Sequence, residues 1–291
     1  MNKEPNRIIA ITGATDGIGR AMAREVARDG ATTIVHGRDP ERVQDTLAEI
    51  VAESPEARVF GYVADFASLE QVREFGRNLA TDYPWIDVLI NNAGIGSGPA
   101  GSPRRVSADG HEMRFAVNYL APFLLTALVL PALRASSSAR IVNVASAGQA
   151  PVDFDDVMLE KHYDGRRAYG QSKLALINFT FALAGELRAH RIGNVTANVL
   201  HPASLMPTKM VFESFGYTMS TLETGVTATL RLARDPALEG ISGRYYDVLQ
   251  EDRAAPQVYD VVARDRLWKL SERLCAVDYA SVFASSVTRV P

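Results

Sequence analysis

Short runs rich in valine and isoleucine alternate with longer amphipathic segments from Arg7 onward. This order is typical of a parallel sheet with helices on both faces, because parallel strands need long crossover connections. The predicted strands are residues 7–12, 32–36, 58–63, 87–90, 140–145, 194–200 and 243–247. The predicted helices are residues 18–29, 40–53, 68–82, 107–135, 167–190, 221–234 and 256–274. The sequence therefore predicts a doubly wound α/β fold, of the Rossmann type, with seven parallel strands.

No linker, low-complexity tract or internal repeat interrupts this alternation along the 291 residues. We therefore expect one domain over residues 1–291, with its core at 7–249 and a C-terminal helix and tail at 250–291. The last stretch, residues 280–291, shows no pattern that predicts where it docks.

Charge and cysteine content exclude several classes of protein. The net charge is −3 and the pI is about 6.0, and no concentrated basic face predicts binding to nucleic acid. The lone Cys275 cannot form an internal disulfide, and the five histidines lack metal-ligand spacing. We expect no bound metal, and a reducing compartment suits the chain.

The sequence favours a cytoplasmic protein without a membrane partner. Its first ten residues lack the apolar run of a signal peptide. The most apolar stretch, residues 119–133, contains two prolines and is shorter than the roughly 20 residues that cross a membrane. We expect it to be a core helix.

A glycine-rich turn follows the first predicted strand, in "TGATDGIGR", with glycines at positions 13, 17 and 19. Glycines allow a tight turn and let the backbone approach a pyrophosphate, whose charge the N-terminus of the next helix stabilises. The turn therefore predicts a dinucleotide site, and a tight turn without a ligand is the alternative.

The Gly-x3-Gly-x-Gly spacing of this turn resembles the short-chain dehydrogenase/reductase family. Four further matches follow in the family's order over residues 7–249: "NNAG" at 91–94, Asn118 in the long helix, Ser146 after the fifth strand, and Tyr169 followed by Lys173. The resemblance implies an NAD(P)-dependent oxidoreductase that interconverts a carbonyl and an alcohol on a small, fairly apolar molecule.

The resemblance also assigns the catalytic roles. Tyr169 exchanges the proton with the substrate oxygen, and the ammonium of Lys173 favours the phenolate that alcohol oxidation requires. Ser146 hydrogen-bonds the same substrate oxygen. Asn118 holds a water that leads to Lys173. Ser146 and Asn118 each have a structural alternative. A serine at the end of a strand can simply satisfy backbone groups, and an asparagine within a helix can simply face solvent.

The end of the second strand, "IVHGRDPER", bears on the choice of cofactor. Arg38 suits the additional phosphate of NADP, whereas an acid there suits NAD. Asp39 is the expected N-cap of the next helix, and Asp16 occupies the position where many NADP-binding relatives have a basic residue. We expect NADP(H) to be favoured over NAD(H).

The resemblance places the remaining cofactor contacts along the carboxyl edge of the sheet. Asp65 would contact the adenine and Asn91 would line the adenosine side; the alternative is that either caps a loop. The full predicted set is Gly13, Thr15, Asp16, Gly17, Ile18, Gly19, Arg38, Asp65, Asn91, Ala93, Gly94, Tyr169, Lys173, Pro202, Leu205 and Thr208.

The loop after the sixth strand, "HPASLMPTKM", departs from the family pattern. Ala203 replaces a glycine, and Thr208 lies one residue farther along than usual. The next stretch, "VFESFGYTM" at 211–219, is rich in large apolar residues. We expect a substrate pocket formed by Ser146, Met206, Met210 and Phe212, and core packing of the helix is the alternative.

Three segments resemble the retinol-dehydrogenase-like branch of the family: "PVDFDDVMLEKHYDGRRAY" at 151–169, "SGRYYD" at 242–247 and "DRLWKLSERL" at 265–274. The resemblance implies a lipophilic aldehyde or ketone as substrate. The N-terminal hydrophobic segment of membrane-anchored members has no counterpart here, so the anchored role is not expected to apply.

Two other functions are compatible with such a fold. One is a catalytically silent regulator that senses NADP(H), since fold does not dictate function. The other is an epimerase or dehydratase with the same Ser, Tyr and Lys, although the glycine spacing argues against it. The family also implies a homodimer or homotetramer through the helices at 107–135 and 167–190, unless the protein's own core buries those faces.

Overall fold

A computed structural model describes residues 7–214 and 216–285. Its centre is one eight-stranded sheet, with the strands in the order β3-β2-β1-β4-β5-β6-β7-β8. The strands are β1 (Ile8–Ile11), β2 (Thr32–Gly37), β3 (Val59–Val63), β4 (Val88–Asn91), β5 (Ala139–Val144), β6 (Val195–His201), β7 (Tyr245–Asp247) and β8 (Gln250–Asp252).

The seven predicted strands are all present and parallel, which confirms the doubly wound fold. The strand count was wrong by one, because β8 pairs antiparallel with the outer edge of β7. Its residues, Gln-Glu-Asp, are all exposed and carry no apolar periodicity. A strand of this composition gives no signal in a sequence, yet its charges discourage further pairing at the sheet edge.

The helices cover both faces of the sheet. Along β1, Ile8 and Ala10 belong to one buried cluster while Ile9 and Ile11 belong to the other, as alternation in a strand requires. The helices are α1 (Gly17–Arg28), α2 (Pro40–Glu53), α3 (Leu69–Asp82), α4 (Met113–Phe115), α5 (Ala121–Ala135), α6 (Gly165–Ala189), α7 (Lys209–Ser214), α8 (Leu222–Arg234), α9 (Val261–Cys275) and α10 (Tyr279–Ala284).

The helix predicted at 107–135 begins six residues later, at Met113. Residues 107–112 form a turn instead, in which the Ser107 hydroxyl accepts hydrogen bonds from the backbone N–H groups of Asp109 and His111. A π-helical turn, Ala116–Leu120, joins α4 to α5. The helix predicted at 256–274 is likewise divided, into a 3-10 turn (Pro256–Tyr259) and α9.

The stretch Met113–Ala135 is long and apolar enough to cross a membrane by length and composition. Within the fold, however, 89% of its most apolar window is buried. Its side chains pack against α3 and the sheet, as the sequence predicted for a core helix.

The C-terminal helices α9 and α10 cover the outer faces of α5 and α6. The Tyr279 hydroxyl donates to the carbonyl of Phe123, and Tyr119 hydrogen-bonds Ser271. Phe123 also meets the ring of Trp268 edge-on at 5.4 Å. These contacts show that residues 280–285, for which the sequence shows no docking pattern, pack on α5, and that α9 and α10 cover part of the helix faces that could have paired subunits. Residues 286–291 of the predicted tail lie outside the described part.

We expect Phe283→Ala to lower the free energy of unfolding by about 3 kcal/mol, because it removes a large buried side chain. Phe283 is 5% exposed and stacks on His190 at 4.6 Å. Phe60→Ala is the control, since Phe60 is 47% exposed. Chemical denaturation measures both, and equal effects of the two substitutions would show that α10 contributes no more than a surface residue.

Candidate active site

The carboxyl ends of the parallel strands meet at one edge of the sheet, where the glycine turn leads from β1 into α1. Gly13 and Gly17 have φ angles of +63° and +50°, which favour glycine. A Cβ atom on Gly13 would lie 2.7 Å from the Cα of Ala93, and one on Gly19 would collide with the carbonyl of Gly13. The turn therefore forms a close-packed cradle in front of the N-terminus of α1, where Ile18 is buried beneath it.

His36 supports this turn from β2, a role that the sequence analysis missed. Its Nδ1 accepts a hydrogen bond from the N–H of Gly13 (3.2 Å), and its Nε2 donates to the carbonyl of Ala64 (3.0 Å). The ring stacks on Phe66 (4.3 Å between centroids) and on Phe75 (4.7 Å). Burial lowers the pKa of His36 to about 4, so the ring is neutral at neutral pH and Nδ1 remains an acceptor.

Asn92 is a second residue that the sequence analysis passed over. Its amide donates to the carbonyls of Thr12 and Gly13, at 2.8 and 3.0 Å. The Thr12 hydroxyl in turn accepts from the backbone N–H of Ala93 (3.0 Å). Asn92 thus ties the segment after β4 to the glycine turn, and its place within the "NNAG" motif was the available signal.

Two arginines lie close to the end of β2, Arg38 directly after the strand and Arg42 in the first turn of α2. Arg38 is exposed, and Asp39 caps α2 as predicted by accepting from the N–H of Glu41 (3.0 Å). Arg42, which the sequence analysis did not single out, lies 2.9 Å from the Asp16 carboxylate and donates to the carbonyl of Thr15 (3.2 Å). Partial burial raises the pKa of Asp16, but hydrogen bonds from Arg42 and the Gly17 N–H outweigh it and hold that pKa below its ordinary value.

Asp65 and Asn91 were both expected to face the adenosine. Asp65 caps the turn after β3, where one carboxylate oxygen accepts from the N–H of Ala67 (3.0 Å). The Asn91 expectation is wrong for the side chain, which is 1% exposed and donates to Asn143 (2.8 Å) and Thr126 (3.3 Å). These partners lie on β5 and α5, so the amide is held in the core between the sheet and that helix.

Lys173 and Tyr169 lie on the first turns of α6, beneath the end of β5. The Lys173 ammonium is buried and donates to the carbonyl of Val144 (2.9 Å), and it lies 5.8 Å from the centre of the Tyr169 ring. The Tyr169 hydroxyl hydrogen-bonds Ser146, whose Oγ also accepts from the N–H of Gly148 (3.0 Å). The structure therefore brings together the serine, tyrosine and lysine that the sequence predicted.

Burial sets the ionisation of this group. It raises the pKa of Tyr169, and the hydrogen bond to Ser146 offsets that rise only in part. It also lowers the pKa of Lys173 to about 8. The sequence predicted that Lys173 would lower the pKa of Tyr169, but burial raises that pKa instead. The phenol is therefore protonated at neutral pH and suited to donating a proton.

Asn118 lies in the π-helical turn, a feature that often marks functional sites. Its Oδ1 accepts from the N–H of Ile95 (2.8 Å), and its Nδ2 donates to the Ile95 carbonyl (3.0 Å) and to the Ser172 hydroxyl (3.0 Å). The side chain therefore clamps the loop after β4, and its role in holding a water that leads to Lys173 stays a prediction. A Cβ atom on Gly94 would lie 3.3 Å from Oδ1 of Asn118 and 3.4 Å from Nζ of Lys173, so a side chain at this position would crowd both groups.

The loop after β6 lies against the glycine turn, where Thr208 Cγ2 would be 3.2 Å from a Cβ atom on Gly17. Pro202 is buried at its start and Leu205 has a φ angle of +47°. Met206, predicted to line the substrate pocket, is instead 8% exposed in the core cluster formed with α1 and α8. That prediction was wrong because the spacing of apolar residues in an irregular loop does not fix where each side chain points.

Met210 and Phe212 have different surroundings on α7. Met210 lies over Gly96, close enough that a Cβ atom there would be 2.6 Å from its Cγ. Phe212 is 54% exposed, and α7 buries none of its side chains fully, so the alternative of a helix packed into the core is wrong. Phe215, in the same predicted stretch, lies outside the described residues.

Comparison with known proteins agrees with this arrangement. A family model described as short chain dehydrogenase matches residues 7–215. Retinol dehydrogenase 13 of Mus musculus is 34% identical over 293 residues, covering 95% of this chain and 86% of that protein. Retinol dehydrogenase 14 of Homo sapiens is 36% identical (91% and 85% covered), and the human polyprenol dehydrogenase is 32% identical (94% and 86% covered).

Solved structures share the same architecture. The structure of an uncharacterized protein from Mycobacterium Paratuberculosis is 28% identical, has a TM-score of 0.75 and covers 94% of each chain. A short chain dehydrogenase from Shigella flexneri 2a, complexed with NADP, is 25% identical with a TM-score of 0.69, covering 85% of this chain and 99% of that one.

We expect Lys173→Met to be more stable than the wild type at pH 7, by about 2 kcal/mol. In the wild type, burial of the charged ammonium lowers its pKa from 10.5 to about 8, which costs the fold about 3 kcal/mol. The variant avoids this cost but loses the hydrogen bond to Val144, which contributes about 1 kcal/mol. The cost is full below pH 8 and vanishes as the pH rises toward 10.5, so the advantage of the variant should shrink over that range.

Urea denaturation at pH 7 and pH 9.5 measures this difference. Lys269→Met serves as the control, because Lys269 is exposed and its replacement should change stability little at either pH. A Lys173→Met variant that is less stable than the wild type at pH 7 would contradict the account of a buried, destabilising charge.

Proposed function

Because the chain belongs to the short-chain dehydrogenase family, a family of NAD(P)-dependent oxidoreductases of alcohols and carbonyls, we propose that it reduces a lipophilic aldehyde or ketone with NADPH. The observation that carries the proposal is the group of Ser146, Tyr169 and Lys173, which meet at the carboxyl edge of the sheet beside the glycine turn.

The glycine turn fits a dinucleotide. Its cradle has no room for side chains at Gly13 and Gly19, and the first N–H groups of α1 lack partners within the helix, as at any helix start. When bound, the nicotinamide supplies the hydride that the substrate carbon receives. Gly94 would leave space for its ribose beside Lys173, where a Cβ atom would lie 3.4 Å from Nζ.

Tyr169 would supply the proton. As the carbonyl oxygen gains negative charge, the protonated phenol donates to it and Ser146 stabilises the charge with a second hydrogen bond. A phenol whose pKa burial has raised is in the acid form before the reaction begins, which favours the direction of reduction. Lys173, fixed by the Val144 carbonyl, would hold the cofactor ribose and help to restore the proton on Tyr169.

The lipophilic substrate is supported by two observations. The relatives named retinol dehydrogenase and polyprenol dehydrogenase carry the names of lipophilic alcohols. In this chain, Met210 covers Gly96 and Phe212 remains exposed beside it, so α7 presents apolar side chains near the site. An apolar chain of a substrate would bury this surface on binding.

We expect Tyr169→Phe to lower kcat for aldehyde reduction by at least about 100-fold, because it removes the general acid while keeping the ring. The affinity for NADPH should stay within about twofold of the wild type, since the hydroxyl is the only group lost. Following NADPH absorbance with aldehydes of increasing chain length measures the first, and fluorescence titration measures the second.

Tyr259→Phe is the matched control, because Tyr259 lies in the 3-10 turn before α9 and its hydroxyl accepts from the N–H of Ala254. This variant should keep its activity. Turnover by Tyr169→Phe near the wild-type rate would remove Tyr169 from the role of proton donor.

Preference for NADP(H) over NAD(H) is part of the proposal and depends on Arg38. Arg38 is exposed directly after β2, whereas the guanidinium of Arg42 is already bound to Asp16 and Thr15. The pairing with Arg42 also neutralises Asp16, so the acid in the glycine turn would repel a phosphate less. A relative of known structure is complexed with NADP.

Arg38→Ala should lower the NADP-over-NAD ratio of kcat/KM by about 10- to 100-fold, the size of one lost charge-assisted hydrogen bond. Activity with NAD(H) should change little. Arg28→Ala is the control, because Arg28 is exposed at the C-terminus of α1, the end remote from the glycine turn. An unchanged ratio would disprove the assignment of Arg38.

A further inference from the structure

Arg114 is a buried charge that the proposed chemistry does not use. Its side chain is 8% exposed and lies 3.4 Å from Glu112, which is 1% exposed and caps α4. Burying an ion pair carries a large desolvation cost and gives little net stability. Since the pair adds little stability, the other contacts of Arg114 indicate why it lies beside the site.

The guanidinium joins two segments that frame the site. Its Nε donates to the carbonyl of Gly96 (2.8 Å) and its Nη2 donates to that of Ser97, both in the loop that follows Gly94. Its Nη1 donates to the hydroxyl of Tyr163, in the segment that leads into α6 and Tyr169. Arg114 therefore spans the gap between the loop after β4 and the start of the helix that carries Tyr169.

The same two segments meet directly at Gly165, the first residue of α6. A Cβ atom there would collide with the carbonyl of Ser97, the oxygen that Arg114 also binds. This close contact therefore limits how near the loop and the helix can approach each other. The Arg114 guanidinium binds the Ser97 carbonyl and so fixes the position of the oxygen that makes the contact.

Asn118 makes a parallel connection four residues further along the chain. It binds both backbone groups of Ile95 and donates to Ser172, whose hydroxyl donates to the carbonyl of Tyr169 (2.7 Å). Arg114 and Asn118 together hold three consecutive residues, 95–97, against the first turns of α6. We call this pair the loop clamp.

We propose that Arg114 is a positioning residue for the reduction: through Gly96, Ser97 and Tyr163 it sets the distance between the loop after β4 and Tyr169. This inference depends on the proposed function, in which Tyr169 is the proton donor. A displacement of about 1 Å between reacting groups can slow a reaction by about 100-fold, so a loose clamp should slow chemistry without abolishing binding.

The test compares Arg114→Gln with Arg140→Gln. Arg140 is also almost fully buried, at 7% exposed, and pairs with Glu239 (2.9 Å), but it lies at the opposite, amino end of β5. Both variants should lose thermal stability. Only Arg114→Gln should lower kcat, by about 10- to 100-fold, while the dissociation constant of NADPH stays within about twofold.

A second readout separates positioning from stability. With NADPH carrying deuterium at the transferred position, the isotope effect on kcat should rise in Arg114→Gln, because hydride transfer becomes rate-limiting, and should stay at the wild-type value in Arg140→Gln. If Arg114→Gln does not fold, Tyr163→Phe removes one clamp contact without stranding a charge, and it should lower kcat by about threefold with the same rise in isotope effect.

Equal kcat values and isotope effects in the Arg114 and Arg140 variants, or in Tyr163→Phe and the wild type when that variant is used, would overturn the inference. The proposed function would survive that result if Tyr169→Phe is inactive. Conversely, an active Tyr169→Phe would overturn the proton-donor role of Tyr169. The comparison of Arg114→Gln with Arg140→Gln would then still decide whether Arg114 affects kcat.

Discussion

The hydrogen bond from the buried Lys173 ammonium to the carbonyl of Val144 fixes the helix α6 to the end of β5. The rest of the site depends on this contact, since Ser146 follows β5 and Tyr169 lies on α6, and their hydrogen bond joins the same two elements. The ammonium lies where burial lowers its pKa, so the fold holds its charge at a cost to stability. Functional sites commonly carry such a cost.

The C-terminal helices show how the chain completes its own core. In the described structure, α9 and α10 bring Trp268, Tyr279 and Phe283 onto the aromatic cluster of α5 and α6. The Cys275 thiol lies in the same layer, and burial raises its pKa to about 12, which keeps it inert. Part of the surface that α5 and α6 could offer to a second subunit is therefore covered by the chain's own C-terminal helices.

Much of the fold was predictable from the sequence because its signals are local. The apolar runs of the seven parallel strands, the glycine turn and the Asp39 cap each depend on residues close together in the chain. The strand β8 was not predictable, since its three polar residues pair only because β7 presents an open edge. The start of the long helix was displaced because side-chain hydrogen bonds at Ser107 compete with helix formation.

The candidate site divides in the same way. The motif spacing correctly indicated that Ser146, Tyr169 and Lys173 come together, but it could not indicate where Asn91, Asn118 and Met206 point. Those orientations depend on the pleat of β4, on the π-helical turn and on packing against α8, which are all tertiary features. His36 and Arg114 gave no signal for the same reason, because an isolated histidine or arginine in a sequence usually lies at the surface.

The central claim is that this site transfers hydride to a carbonyl carbon. A single-turnover reaction with NADPH that carries deuterium at the transferred position, followed by mass spectrometry of the alcohol, tests it most directly. A lipophilic aldehyde should be converted to an alcohol with one deuterium on its carbinol carbon. An unlabelled alcohol, or no alcohol from any aldehyde or ketone across a range of chain lengths, would contradict it.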